Sequence, residues 1–272
     1  MDVALSANGR RVIRVFFALV LVFLYAPIAI LLVFSFNKAS VPTFPLTGFT
    51  FRWYHDFATN REMQAALETS AIVAAISSVI AVALGVLASL GLSRRAFRGK
   101  GVVTAFLLIP LVMPLIVLGI SLLLLYHELG VPLSLVTITI GHVVISIPYA
   151  ILVLLPRLEQ VDRSLAEAAY DLGAGALTTF RRITLPLILP AVVSAFLIAF
   201  TTSFDEYAVA SFLAGSRETF PLFLYSQLRF PDKLPQVIAV AVVIMTLTIA
   251  VVVGAELWRR RAEARLGEAP TY

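Results

Sequence analysis

At 272 residues, 60% hydrophobic and 14% charged, this chain is too apolar for a water-soluble globular protein, where about a quarter of residues are charged. Its apolar residues also stand in long uninterrupted runs, not in the stripes or alternation of a soluble core. The absence of cysteine excludes disulfides, thiolate metal sites and cysteine nucleophiles. The net charge of +5 does not point to nucleic acid, because the arginines gather in short segments beside the apolar runs.

Six runs are long enough to cross about 30 Å of hydrocarbon as helices of about 20 residues: Val15–Phe36, Thr69–Leu92, Val102–Tyr126, Leu133–Leu155, Leu187–Phe204 and Val237–Trp258. The expected fold is an all-α, polytopic membrane helix bundle forming one domain, 1–272. The first run is longer than the apolar core of a signal peptide and lacks a clear small-residue cleavage site, so it reads as a retained anchor. Arg10-Arg11 before it reads as positive-inside flanking, not as a twin-arginine signal.

Alanines and serines of the second run, with Gly85, Gly91 and Gly119, permit close helix approach. Pro110, Pro114 and Pro148 lie inside apolar runs and predict kinked helices whose lost bonds neighbours restore. His142, in the fourth run, reads as a hydrogen-bonded packing residue. No second histidine stands at metal spacing, so no metal is assigned. With the N-terminus inside, 15 of the 21 basic residues fall on the cytoplasmic side and 6 outside, which predicts cytoplasmic termini.

The segment 156–186 is too long and too organised for a simple connector and reads as two short helices. Ser164-Leu165-Ala166-Glu167 has the form of a capping box, and Gly173 and Gly175 supply left-handed positions that end a helix. Leu165, Ala168, Ala169 and Leu172 fall at i, i+3, i+4 and i+7, an apolar stripe with Glu167 and Asp171 beside it. Two readings stand: a cytoplasmic docking knob for a partner, or a helix folded back on the bundle's own end. The chain has no G-x-x-x-x-G-K-[ST] phosphate loop, because Gly99-Lys100-Gly101 lacks both the upstream glycine and the hydroxyl residue.

Asp205-Glu206 interrupts apolar sequence running from Leu187 to Ala214. Carboxylates at membrane depth usually face a bundle interior or a watery path. One reading is therefore a cation route lined by Asp205 and Glu206, with Phe200, Phe204 and Tyr207 supplying aromatic faces. In the other, the fifth helix ends near Phe204 and the pair is solvated at the outer surface.

Glu167-Ala168-Ala169, Gly173 and Ile183-Thr184-Leu185-Pro186 together resemble the spaced EAA signature of ABC importer permeases. Ser35-Phe36-Asn37, Gly48-Phe49-Thr50 with Trp53-Tyr54, Phe97-Arg98-Gly99-Lys100 and Met113-Pro114 to Ile120-Ser121-Leu122 extend the resemblance, in order, to the spermidine/putrescine branch. The resemblance implies a type I importer permease fold of six transmembrane helices with a cytoplasmic coupling loop at 156–186. Glu167, Ala168, Ala169, Leu172, Gly173, Ile183, Leu185 and Pro186 would then meet the ATPase. It also implies a non-enzymatic subunit of the bacterial inner membrane, surrounded by lipid. Its partners would be an ABC ATPase dimer holding ATP and magnesium, a second homologous permease and an extracytoplasmic solute-binding protein. The implied cargo is spermidine or putrescine, with an opine, aminophosphonate, thiamine or iron as alternatives in the same class. An ion-coupled secondary transporter would show repeated halves with broken helices, and a membrane enzyme a catalytic cluster such as H-E-x-x-H or G-x-S-x-G. The sequence shows none of these.

Overall fold

A computed structural model describes residues 7–94 and 97–265. Among them every regular element is helical, apart from one isolated antiparallel bridge between Asn37 and Phe49. The helices are α1 (Ala7–Phe34), α2 (Arg52–Thr59), α3 (Arg61–Arg94), α4 (Lys100–Val112), α5 (Leu115–Glu128), α6 (Leu135–Gln160), α7 (Arg163–Asp171), α8 (Ala176–Thr179), α9 (Leu185–Phe204), α10 (Ala208–Leu213), α11 (Phe220–Gln227) and α12 (Leu234–Arg265). A π-turn, Phe180–Thr184, joins α8 to α9, and a 3₁₀ turn, Pro231–Lys233, precedes α12. Among the described residues, five helices are long and apolar enough to cross a membrane, and the bent pair α4 and α5 makes a sixth crossing if counted as one.

Hydropathy marks the apolar middles of these helices, and the backbone helix continues through polar residues beyond them. Thus α3 begins at Arg61, not Thr69, with Met63 and Ala66 buried in its first turns, and α6 runs on to Gln160. The third run departs most from expectation, because α4 and α5 meet at a bend of 102°. Proline disfavours the helical region for the residue before it. Met113 is accordingly extended (ψ 138°), and Pro114 becomes the N-cap of α5. The segment after α6 also differs from two separate short helices: α7 stands alone, while α8 passes through the π-turn into α9 as one span, Ala176–Phe204.

The chain divides into two compact units, residues 7–60 with 226–247 and residues 61–225 with 248–265. In the first, the stretch after α1 is knit around buried Asn37. Thr47 donates from its backbone N and its hydroxyl to Asn37 Oδ1, each at 3.2 Å, and Trp53 Nε1 donates to Asn37 O at 2.8 Å. Ser35 and Tyr54 hydroxyls meet at 2.7 Å.

The second unit is built on α3, α6 and α9, packed on one another. Val82, Val86, Ala150, Leu154, Ala195 and Ala199 form their shared core. Small residues set its spacing: a Cβ added at Gly85 would meet Ala150 Cβ at 2.7 Å, so α3 and α6 approach as only glycine allows. A second cluster, including Val73, Leu118, Ile138, Val209 and Leu213, joins α3, α5, α6 and α10.

Candidate functional site

Two regions of the second unit hold the residues singled out by sequence. The first is α7, whose start is set by Asp162, not by the expected Ser164 box: Asp162 Oδ1 accepts from Ser164 N at 2.9 Å. An acid two residues earlier suits the positive end of the helix dipole as well as its free amides. That backbone bond also holds the Asp162 carboxyl below the usual aspartate range.

The helix closes in a Schellman motif, with Gly173 N donating to Tyr170 O at 2.8 Å and Ala174 N to Ala169 O at 2.9 Å. Gly173 takes φ +81° as expected, whereas Gly175 is extended (φ −75°), not left-handed. The apolar stripe divides: Ala166 and Ala169 are buried, while Leu165, Glu167, Ala168 and Leu172 face outward, Leu172 at 89% exposure. Ile183 and Leu185 are half-buried at the π-turn and the start of α9, and Pro186 is exposed.

Two arginines counted in the sequence only as flanking charge make specific bonds here. Arg163 Nη2 donates to Ser93 O, at the end of α3, at 2.8 Å. Arg94 Nη2 donates to Thr184 Oγ1 in the π-turn at 2.9 Å. Lys100 and Glu159 pair more loosely, at 3.7 Å across partly exposed side chains.

The second region is the acidic turn between α9 and α10, where the pair is split. Helix α9 ends at Phe204 and Asp205 is exposed, but Glu206 is 6% exposed, which corrects a solvated position for both. Glu206 Oε1 accepts from Val209 N at 2.8 Å and Oε2 from Ala210 N at 2.9 Å, capping α10. Buried His142 stands behind it, with Nε2 3.4 Å from Glu206 Oε2, an ion-pair distance short of an aligned hydrogen bond. His142 Nδ1 lies 2.7 Å from Ser203 Oγ, and Ser203 Oγ 2.9 Å from Ser77 Oγ on α3. The packing role expected of His142 thus extends to a chain of polar groups linking α6, α9 and α3. Its signal in sequence is the ionisable residue itself within an apolar run.

An aromatic series runs along α9 to this turn: Phe196, Phe200 and Phe204 follow at centroid spacings of 6.0 Å, and Phe220 lies 6.3 Å from Phe204. Exposed Tyr207 packs on Tyr225 at 4.6 Å. Asp205, exposed, directly follows Phe204 of that series. Among the described residues no three of His, Asp and Glu are grouped to hold a metal ion.

Residues 81–263 match the model of a family described as binding-protein-dependent transport system inner membrane component. The chain is 35% identical over 253 residues to the spermidine/putrescine transport system permease protein PotC of Escherichia coli K12, covering 93% of this chain and 95% of that protein. It is 37% identical over 247 residues to PotC of Haemophilus influenzae, covering 90% and 95%. It is 38% identical over 231 residues to the putrescine transport system permease protein PotI of Escherichia coli K12, covering 82% of each. Among solved structures, its fold is similar to a chain of a bacterial ABC transporter involved in the import of the acidic polysaccharide alginate. That match has a TM-score of 0.71 at 18% identity and covers 94% of this chain and 98% of that one. A chain of the MetNI methionine ABC transporter in inward-facing conformations matches with a TM-score of 0.59 at 16% identity, covering 75% and 99%.

Proposed function

This chain belongs to the family of binding-protein-dependent transport system inner membrane components, multi-pass permease subunits of the inner membrane, and from that premise we propose that it carries a polyamine such as spermidine or putrescine inward. The observation that carries the substrate class is the 35–38% identity, across most of the chain, to permeases named for spermidine and putrescine. The exposed Asp205 beside the Phe200–Phe204 stack and Tyr207 agrees with a cationic cargo.

The mechanism is alternating access by one permease domain paired with a homologous second permease, both termini in the cytoplasm. A loaded extracytoplasmic binding protein delivers the cargo to the outward-facing cavity. Separate ATPase subunits, which hold ATP and magnesium, supply the free energy, and this chain supplies the path. The outward strip Leu165, Ala168 and Leu172, with Glu167 beside it, seats α7 in the ATPase. Gly173 ends the helix so that the chain can turn back toward the π-turn and Pro186. At the outer end, the Asp205 carboxylate takes an ammonium group of the cargo while the aromatic faces cover its methylene chain. Glu206, with both oxygens already engaged, holds the turn that presents Asp205.

The test is ATP hydrolysis by the reconstituted complex with binding protein that is empty or loaded with spermidine, putrescine or a panel of other amines and phosphonates. Stimulation by the polyamine-loaded protein supports the reading. Stimulation confined to another ligand removes the polyamine assignment, and ATP-independent uptake by the lone chain removes the importer.

A further inference from the structure

We propose that Arg163 is the positioning residue through which displacement of α7 reaches α3, and that Arg94 ties the base of α9 to the same helix end. The proposal rests on the reading of α7 as the ATPase contact. Helix α7 packs against α8 and the π-turn. Toward the bundle, however, a cavity of about 420 Å³ opens between Ala166, Glu167 and Tyr170 on one side and Ser93, Leu158 and Glu159 on the other. Packed side chains transmit a push because they are close-packed, and an open space does not. At that cavity the 2.8 Å bond from Arg163 to Ser93 O links α7 to α3.

Its chemistry suits a link under load. The guanidinium is a charged donor with a rigid planar head, and Ser93 O is one of the last carbonyls of α3, where free acceptors and the negative dipole end favour a cation. The Arg94 bond to buried Thr184 then joins α3 to the π-turn, a form of helical turn that recurs at functional sites. From Ser93 to Ser77 is about 24 Å of continuous helix, and Ser77 bonds Ser203, two residues before Asp205. A shift of α7 is thereby delivered to the acidic turn along one rod.

The absence of native cysteine makes a spin-label measurement direct. One label on the cytoplasmic half of α3 and one on α6, in the full complex in lipid, report the change in separation on nucleotide trapping, with ATPase association measured in parallel. Arg163→Gln is expected to keep ATPase association within about twofold and to reduce the nucleotide-driven displacement of α3 at least about fivefold. Arg163→Lys, which keeps the charge and loses the fork, is expected to retain about half of the displacement. Thr184→Val should leave α3 moving and uncouple a label at the base of α9. Undiminished displacement in either Arg163 variant overturns the proposal. If Leu172→Asp leaves ATPase association unchanged, the docking reading fails separately, and the Arg163 variants still report whether α3 follows α7.

Discussion

Neutralising the two acids of the α9–α10 turn should have opposite kinds of consequence. In Glu206→Gln the amide oxygen still accepts from one of Val209 N and Ala210 N, now 2.8 and 2.9 Å from the carboxylate. The amide nitrogen faces the other donor, which is left buried and unpaired. Losing one charge-assisted bond costs about 1.5–3 kcal/mol. About 1.5–3 kcal/mol is therefore the expected loss. Asp205 is exposed, and Asp205→Asn should alter stability by no more than about 0.5 kcal/mol. Thermal unfolding of the purified chain in detergent, followed by fluorescence or loss of monodispersity, should show Glu206→Gln melting roughly 5–10 °C lower and Asp205→Asn unchanged. In vesicles Asp205→Asn should still depress polyamine uptake about tenfold by raising KM, without changing the maximal rate to the same degree. If Glu206→Gln melts with the wild type, the structural role given to Glu206 is wrong; if Asp205→Asn transports normally, the cation contact lies elsewhere.

Three further outcomes follow from the same geometry. Gly85→Val should cost about 1–3 kcal/mol by overpacking α3 on α6, and Ala150→Gly in the same chain should recover part of that, read from the two melting curves. Leu172→Asp should weaken ATPase association about tenfold or more with little change in the melting of the permease, because this side chain is 89% exposed. Asp162→Ala should speed hydrogen exchange in the first turn of α7. The Asp162 carboxyl is held below its ordinary range by the Ser164 amide, so its contribution is full above that range and is lost as pH falls through the lowered value, and the two chains should converge in acid.

The spans were legible because crossing hydrocarbon demands long apolar runs, and each run of the sequence reappears as helix. The break in the third was legible in part: Pro114 predicted a kink, but hydropathy reports side chains and read the run as one span, whereas the backbone at Met113-Pro114 turns through 102° and divides it into two helices. The start of α7 was misplaced by two residues because Asp162 and Ser164 can each cap a helix, and which one does so depends on where the chain leaves α6. Asp205 and Glu206 are adjacent and alike in sequence. They part only because the turn brings Glu206 onto the first amides of α10 and against His142, which lies 64 positions earlier. Arg94 and Arg163 were legible as charge and not as links, since their acceptors are a serine carbonyl and a threonine hydroxyl brought near by the packing of α3, α7 and the π-turn.

The closure of α7 at both ends by bonds within residues 162–174 makes its shape nearly a private matter of its own thirteen residues. A segment of that kind is portable. Exchanged as a block between related permeases, it would carry its outward strip in the same orientation. A single inserted residue would instead turn that strip by about 100° around the helix axis, so the spacing between caps is inherited as strictly as the residues themselves, and partner choice can evolve without redesign of the membrane helices.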